Sequence, residues 1–190
     1  MKRWSVLGIL LVSAAVNSET FEVNIPELQQ EAKGVIKQLA TTLGGELKKA
    51  KKSGGATAAI TVCNTKAGPL TELVNSESEW EISRTSLKLR NLENAPDDWE
   101  KAVLESFEKK ANIGANLEIL AFSQVIVDDE GRKVFRMMKA IPVGEQCLAC
   151  HGSKIKPELS EHLDKLYPED QAKGFSQGDL RGAFSLKKYL

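Results

Sequence analysis

Residues 117–151 read LEILAFSQVIVDDEGRKVFRMMKAIPVGEQCLACH, and this order sets the fold. Leu117 to Val127 is apolar and β-branched, Asp128-Asp129-Glu130-Gly131 is a turn, and Lys133 to Val143 returns. Two such runs around a short acidic, glycine-ended turn make a β-hairpin. In the returning run Val134, Arg136, Met138 and Ala140 share one face, and Phe135, Met137, Lys139 and Ile141 share the other. Pro142 and Gly144 end the strand just before Cys147-Leu148-Ala149-Cys150-His151.

That last stretch has the form C-x-x-C-H, the attachment signature of a covalently bound c-type haem. Two thiols three residues apart can add to the two vinyl groups on one haem edge. His151 then falls under the iron as its proximal axial ligand. A zinc site would need two further ligands, and outside the motif the chain offers only Cys63 and His162. A thioredoxin-type pair belongs near the start of a βαβ unit, not near the end of a chain. The motif therefore predicts one haem c, with Cys147 and Cys150 as its thioether anchors.

Met1 to about Ser18 has the plan of a secretory signal. Lys2 and Arg3 precede an apolar run, Val6 to Val12, that is too short to span a bilayer, and small residues follow. Val16 and Ser18 suit a cleavage site, with Ser13 and Ala15 as an alternative. An uncleaved N-terminal anchor is the competing reading. Export to an oxidising compartment, periplasmic or lumenal, agrees with haem c attachment. The expected organisation is a signal peptide over residues 1–18 and a single domain over residues 19–190. The 26 basic and 26 acidic residues become 24 and 26 without Lys2 and Arg3, a formal charge of −2. No basic surplus points to nucleic acid, and no second long apolar segment points to a membrane span.

Around the hairpin, Ile25 to Lys52 reads as a helix, with Asn24 and Glu27 as a capping pair and Pro26 in the first turn. Leu28, Ala32, Val35, Ile36, Leu39, Leu43, Leu47 and Ala50 form its apolar stripe. The stripe can pack on its own domain or on a second copy, so a homodimer is one expectation. Ser53-Gly54-Gly55 stops it. A second helix starts near Ala56, carries Ala59, Ile60 and Cys63 on one face, and breaks at Gly68-Pro69. Trp80 to Leu89 reads as a strand. Asn94 caps a helix from Pro96 to Lys110, Pro157 to Leu166 is a short helix, and Arg181 to Lys188 is a last strand. Helices segregated from an antiparallel sheet make an α+β domain.

The function turns on what lies opposite His151 on the iron. There are three cysteines, and the haem consumes two. Cys63 is then odd, and an odd cysteine in an exported chain calls for explanation. As a thiolate it would lower the potential of a haem iron. As a thiol it would be a small buried hydrophobe. His162 borders the stripe of Leu159, Leu163 and Leu166, and Met137 and Met138 occupy opposite faces of a strand. Core or surface roles suit these three better than ligation.

Further residues carry a family resemblance. Cys63 within Ala59 to Cys63, the run Ile82 to Glu100 with Arg84-Thr85-Ser86, Arg90-Asn91 and Asn94-Ala95-Pro96-Asp97, and the motif at Cys147 to His151 resemble the PAS-like c-type haem family. So do Tyr167-Pro168, Gly174-Phe175, Gly178-Asp179 and Arg181-Gly182-Ala183-Phe184. The resemblance covers nearly the whole mature chain. This family occurs as small exported proteins and as the periplasmic sensing part of some histidine kinases and chemoreceptors. The resemblance implies a PAS-like α+β fold and a haem held by His151 and the helix residue Cys63. Arg84 and Arg90 are candidate partners of the haem propionates, because guanidinium pairs with carboxylate through two hydrogen bonds. Lys66, one turn after Cys63, is a candidate thiolate stabiliser.

Three functions then compete. The first is a redox or small-molecule sensor, in which ligand loss on reduction, or displacement by NO or CO, moves the Cys63 helix and a separate signalling partner reads the movement. The second is a periplasmic electron-transfer cytochrome with a fixed ligand set and a redox partner. The third, an enzyme such as a peroxidase, requires an open coordination site and a distal acid–base group, and ranks last.

Overall fold

The computed structural model describes residues 22–190. The expected signal segment therefore lies outside the described residues. A helical run, α1 (Ile25–Ser76), opens the fold. It is followed by β1 (Glu81–Thr85), α2 (Asp98–Asn112), β2 (Ala121–Val127) and β3 (Lys133–Pro142). The one-turn α3 (Leu148–His151), α4 (Pro157–Leu166) and β4 (Leu180–Tyr189) complete it. The strands form one antiparallel sheet in the order β1-β4-β3-β2, so the fold is α+β.

α1 is two limbs, residues 25–53 and 56–76, folded against each other at Gly54 and Gly55, which leave helical geometry. Gln38 donates to Glu77 at 2.9 Å and Lys66 meets Glu46 at 2.7 Å, so the limbs run antiparallel. The break falls where the glycines predicted it. The expected break at Gly68-Pro69 does not occur, and the second limb continues to Ser76. Pro69 lies on an exposed face, where a carbonyl that loses its amide partner finds water instead. Gly44-Gly45 likewise leaves the first limb unbroken.

The sheet has a core on each face. Leu28, Ala32, Val35 and Leu39 of the first limb pack on Ile82, Phe135, Met137 and Leu186. Val103, Leu104 and Phe107 of α2 pack on Met138, Ala140 and Ala183 of the other face. Met137 and Met138 point to opposite faces, as alternation requires, and both are buried because both faces are covered. Arg136, on the α2 side, binds Asp97 and Glu100 and stacks over Trp99, fastening that helix to the sheet.

Three boundaries move from expectation, the first being the start of β2, at Ala121 rather than Leu117. β1 ends at Thr85 because Ser86 turns the chain, its hydroxyl accepting from the Lys88 amide and donating to the Arg181 carbonyl. α2 starts two residues later than expected, and its N-cap is Asp97, in a reciprocal capping box with Glu100. Asn94 closes a 3-10 turn instead, and its carbonyl accepts from the Thr85 hydroxyl.

Candidate functional site

β3 delivers the chain to the C-x-x-C-H stretch. Val143 N donates to Asp179 O and Gly178 N to Val143 O, both at 2.8 Å, so the exit from β3 is tied to the entry to β4. Glu145–Cys147 then forms a 3-10 turn and Leu148–His151 a single helical turn. The segment that precedes β4 runs beside it. Phe175 N donates to His151 O at 2.9 Å and Gly174 N to Gly152 O at 3.1 Å.

This frame fixes His151. Its Nδ1 lies 2.8 Å from the carbonyl oxygen of Ala172, a geometry that places a proton on Nδ1 and leaves the Nε2 lone pair free. Phe175 meets the imidazole edge-on, with ring centroids 6.3 Å apart. Burial first, then the guanidiniums of Arg90 and Arg181, hold the imidazole pKa down at about 3. At neutral pH the ring is an uncharged donor.

A cavity of about 560 Å³ opens beside it, within the size range of small-molecule sites. Cys150 and His151 line it, as do Cys63, Ile60 and Asn64 of the second limb, Ile82 and Arg84 of β1, and Arg90, Tyr167 and Arg181. Cys147 does not line it and packs instead against Val143, Ala172 and Phe175. All three cysteines are free thiols. Burial raises the pKa of the Cys63 thiol, and Arg84 and Arg90 partly oppose it. Burial likewise raises the Cys150 thiol.

The three arginines differ in their partners. Arg90 Nε donates to Asp170 at 3.1 Å, and its Nη2 donates to the carbonyls of Cys150 at 2.6 Å and Ala172 at 3.1 Å. The Arg90–Asp170 pair is deeply buried, the Asp170 side chain being 1% exposed. Arg181 Nη1 donates to Ser86 Oγ at 3.0 Å and Lys88 O at 3.2 Å. Among the described residues, no hydrogen bond or ion pair holds the guanidinium of Arg84, which burial shifts toward a lower pKa.

Other sequence candidates lie elsewhere. His162 Nε2 is 2.9 Å from Thr61 Oγ1, joining α4 to the second limb. Lys66 is exposed and bonded to Glu46, so the cations acting on Cys63 are Arg84 and Arg90, not Lys66. Among the described residues no cluster of three or more His, Cys, Asp or Glu is placed to hold a metal ion. Roles for Asp170, Ala172, Tyr167 and Arg181 were not legible, because only the fold brings positions 90, 170 and 181 together.

A model of the Tll0287-like family matches residues 18–188. The chain belongs to the Tll0287-like family. A solved structure, the crystal structure of the cyanobacterial heme-protein Tll0287, superposes with a TM-score of 0.61 at 26% identity, covering 86% of this chain and 95% of that one. No curated protein matches the chain. The Tll0287-like match thus spans every element around the cavity, from α1 to β4.

Proposed function

We propose that this chain is an exported, PAS-like c-type cytochrome that carries one covalent haem and serves as a redox or gas sensor. Cys147 and Cys150 anchor the haem, and His151 and Cys63 are its axial ligands. The observation that carries the reading is the single cavity into which Cys63, Cys150 and His151 converge from distant parts of the chain. The family membership and the heme-protein relative point the same way. The antiparallel sheet, backed on one face by the first limb, supports the PAS-like reading.

The residues present fit the group. The Ala172 carbonyl fixes the His151 tautomer with Nε2 bare, as metal-bound imidazoles require. Arg84, half-buried without an acidic partner, suits an anionic propionate, and Arg90 keeps Nη1 for the same purpose while its other atoms clamp the motif. When bound, the haem would supply a one-electron couple and, with one ligand displaced, a position for NO or CO. The protein's part is to hold Cys63 on a limb that can transmit its position. That limb packs through Ile60 on Leu159 and Leu163 of α4, and it is joined to the rest of α1 by the glycine turn. Movement at Cys63 therefore reaches the α4 surface, where a signalling partner would read it.

The test is the absorption and EPR spectrum of the purified wild-type and Cys63→Ser proteins, oxidised and reduced, with and without carbon monoxide. The expected wild-type result is a low-spin thiolate signature that reduction or carbon monoxide removes, and that Cys63→Ser lacks. A signature unchanged by both treatments keeps Cys63 on the iron and makes the protein an electron-transfer cytochrome. A spectrum identical in wild type and Cys63→Ser removes Cys63 from the site.

A further inference from the structure

We propose that Arg181 is a positioning residue whose unneutralised charge beside His151 raises the midpoint potential of the bound iron; this rests on the haem reading above. Arg181 is the second residue of β4 and is held on two sides. Its Nη1 donates to two neutral acceptors, Ser86 Oγ and Lys88 O, and its guanidinium lies 5.6 Å from the Phe175 ring centroid. Phe175 in turn meets His151 edge-on and donates its amide to the His151 carbonyl. Arg181 and His151 both line the cavity, and Phe175 lies behind them in contact with each.

The charges around these residues do not cancel. Asp170 is the buried acid and acts on Arg181 as well, but its hydrogen bonds go to Arg90 and the Ala172 amide, and Arg90 acts on Arg181 more strongly in the opposite sense. The cavity's remaining acids, Glu72 and Glu93, are exposed at its rim. Lys88 adds a further cation, 5.1 Å from the Phe175 ring, but it is exposed and solvent screens it. Burial, then Arg90, push the Arg181 pKa down to about 10, which leaves it charged at neutral pH. A half-buried cation with no acid hydrogen-bonded to it still costs desolvation energy, and a purely structural tie to Ser86 would not need the charge. Reduction removes one positive charge from the iron, so a fixed cation close by in a low-dielectric site favours the reduced form. Arg181 therefore opposes the potential-lowering effect of a thiolate ligand.

The experiment is a mediated spectroelectrochemical titration of Fe(III)/Fe(II) in the holoprotein and three variants. Arg181→Gln is expected to lower the midpoint potential without changing the oxidised spectrum. Arg181→Lys, which keeps the charge, is expected to stay close to wild type. Ser86→Ala, which removes a hydrogen bond but no charge, is expected to do the same. A wild-type potential in Arg181→Gln overturns the inference, as does an equal fall in all three variants. Should Arg181→Gln not accumulate, Arg181→His decides. Its potential is expected to fall more steeply than wild type as the imidazole loses its proton, and a wild-type pH profile overturns the proposal. Absence of covalently attached haem from the wild-type protein would instead overturn the cofactor reading, and the inference with it.

Discussion

Asp170 does more for the candidate site than any residue that touches the cavity. One carboxylate oxygen takes the Arg90 guanidinium and the other takes the Ala172 amide at 2.8 Å. Arg90 then holds the Cys150 carbonyl, and the Ala172 carbonyl holds His151. One buried ion pair therefore positions both Cys150 and the His151 imidazole. Removing one partner of such a pair strands the other in a low-dielectric interior, at a cost of roughly 3–5 kcal/mol. Asp170→Ala is expected to lose stability of that order, read as a lower denaturant midpoint with an unchanged slope. The yield of holoprotein should fall with it, because the motif is no longer presented in one geometry. A loss below about 1 kcal/mol would mean that the backbone bonds from Gly174 and Phe175 hold the motif unaided.

The elements that were legible are those specified by local rules. The hairpin, α4 and β4 follow alternation or helical spacing between clear turn residues, and they fall within a residue or so of expectation, apart from the later start of β2. The run through Pro69 was not legible, since a proline's effect depends on which face of the helix meets water. Nor was the early end of β1, which Ser86 imposes through contacts with Arg181 across the sheet. The turn between the limbs of α1 makes the sharpest test at this scale. Gly55 has φ of +70° and ψ of −161°, a region essentially reserved for glycine, and a Cβ at Gly54 would meet Ala58 Cβ at 2.7 Å. Gly55→Ala is expected to cost about 1–3 kcal/mol. It should also splay the second limb, so that the Cys63-dependent spectral features weaken while β-sheet circular dichroism persists. Retention of both would show that the limb is held by α4 and β1 rather than by its turn.

At the scale of the whole molecule, the cavity lies between a sheet with two cores and a smaller satellite. Phe107, Leu104, Leu39 and Met138 are fully buried in the two sheet cores. The satellite rests on Ile60, Leu159, Leu163 and Tyr167, with Cys150 packed at its side. The C-x-x-C-H stretch was legible in the sequence as a candidate haem motif. The satellite was hidden, because its stripe on α4 and the Ala56-Ile60 face of α1 show amphipathicity without showing that they meet. Regions with few buried apolar contacts open locally at lower free energy than a central sheet, and a ligand bound between two units stabilises the weaker one most. The Cys147→Ala/Cys150→Ala double variant, which removes both proposed haem anchors, tests this balance by amide hydrogen exchange. Residues 56–76 and 157–166 are expected to lose protection by tenfold or more, the change that ~1.4 kcal/mol of lost stabilisation produces. Residues 133–142 and 180–189 should exchange at nearly the holoprotein's rate. Loss spread evenly over both groups would mean that satellite and sheet unfold as one unit, which would leave no independent movement of the Cys63 limb for a sensor to use.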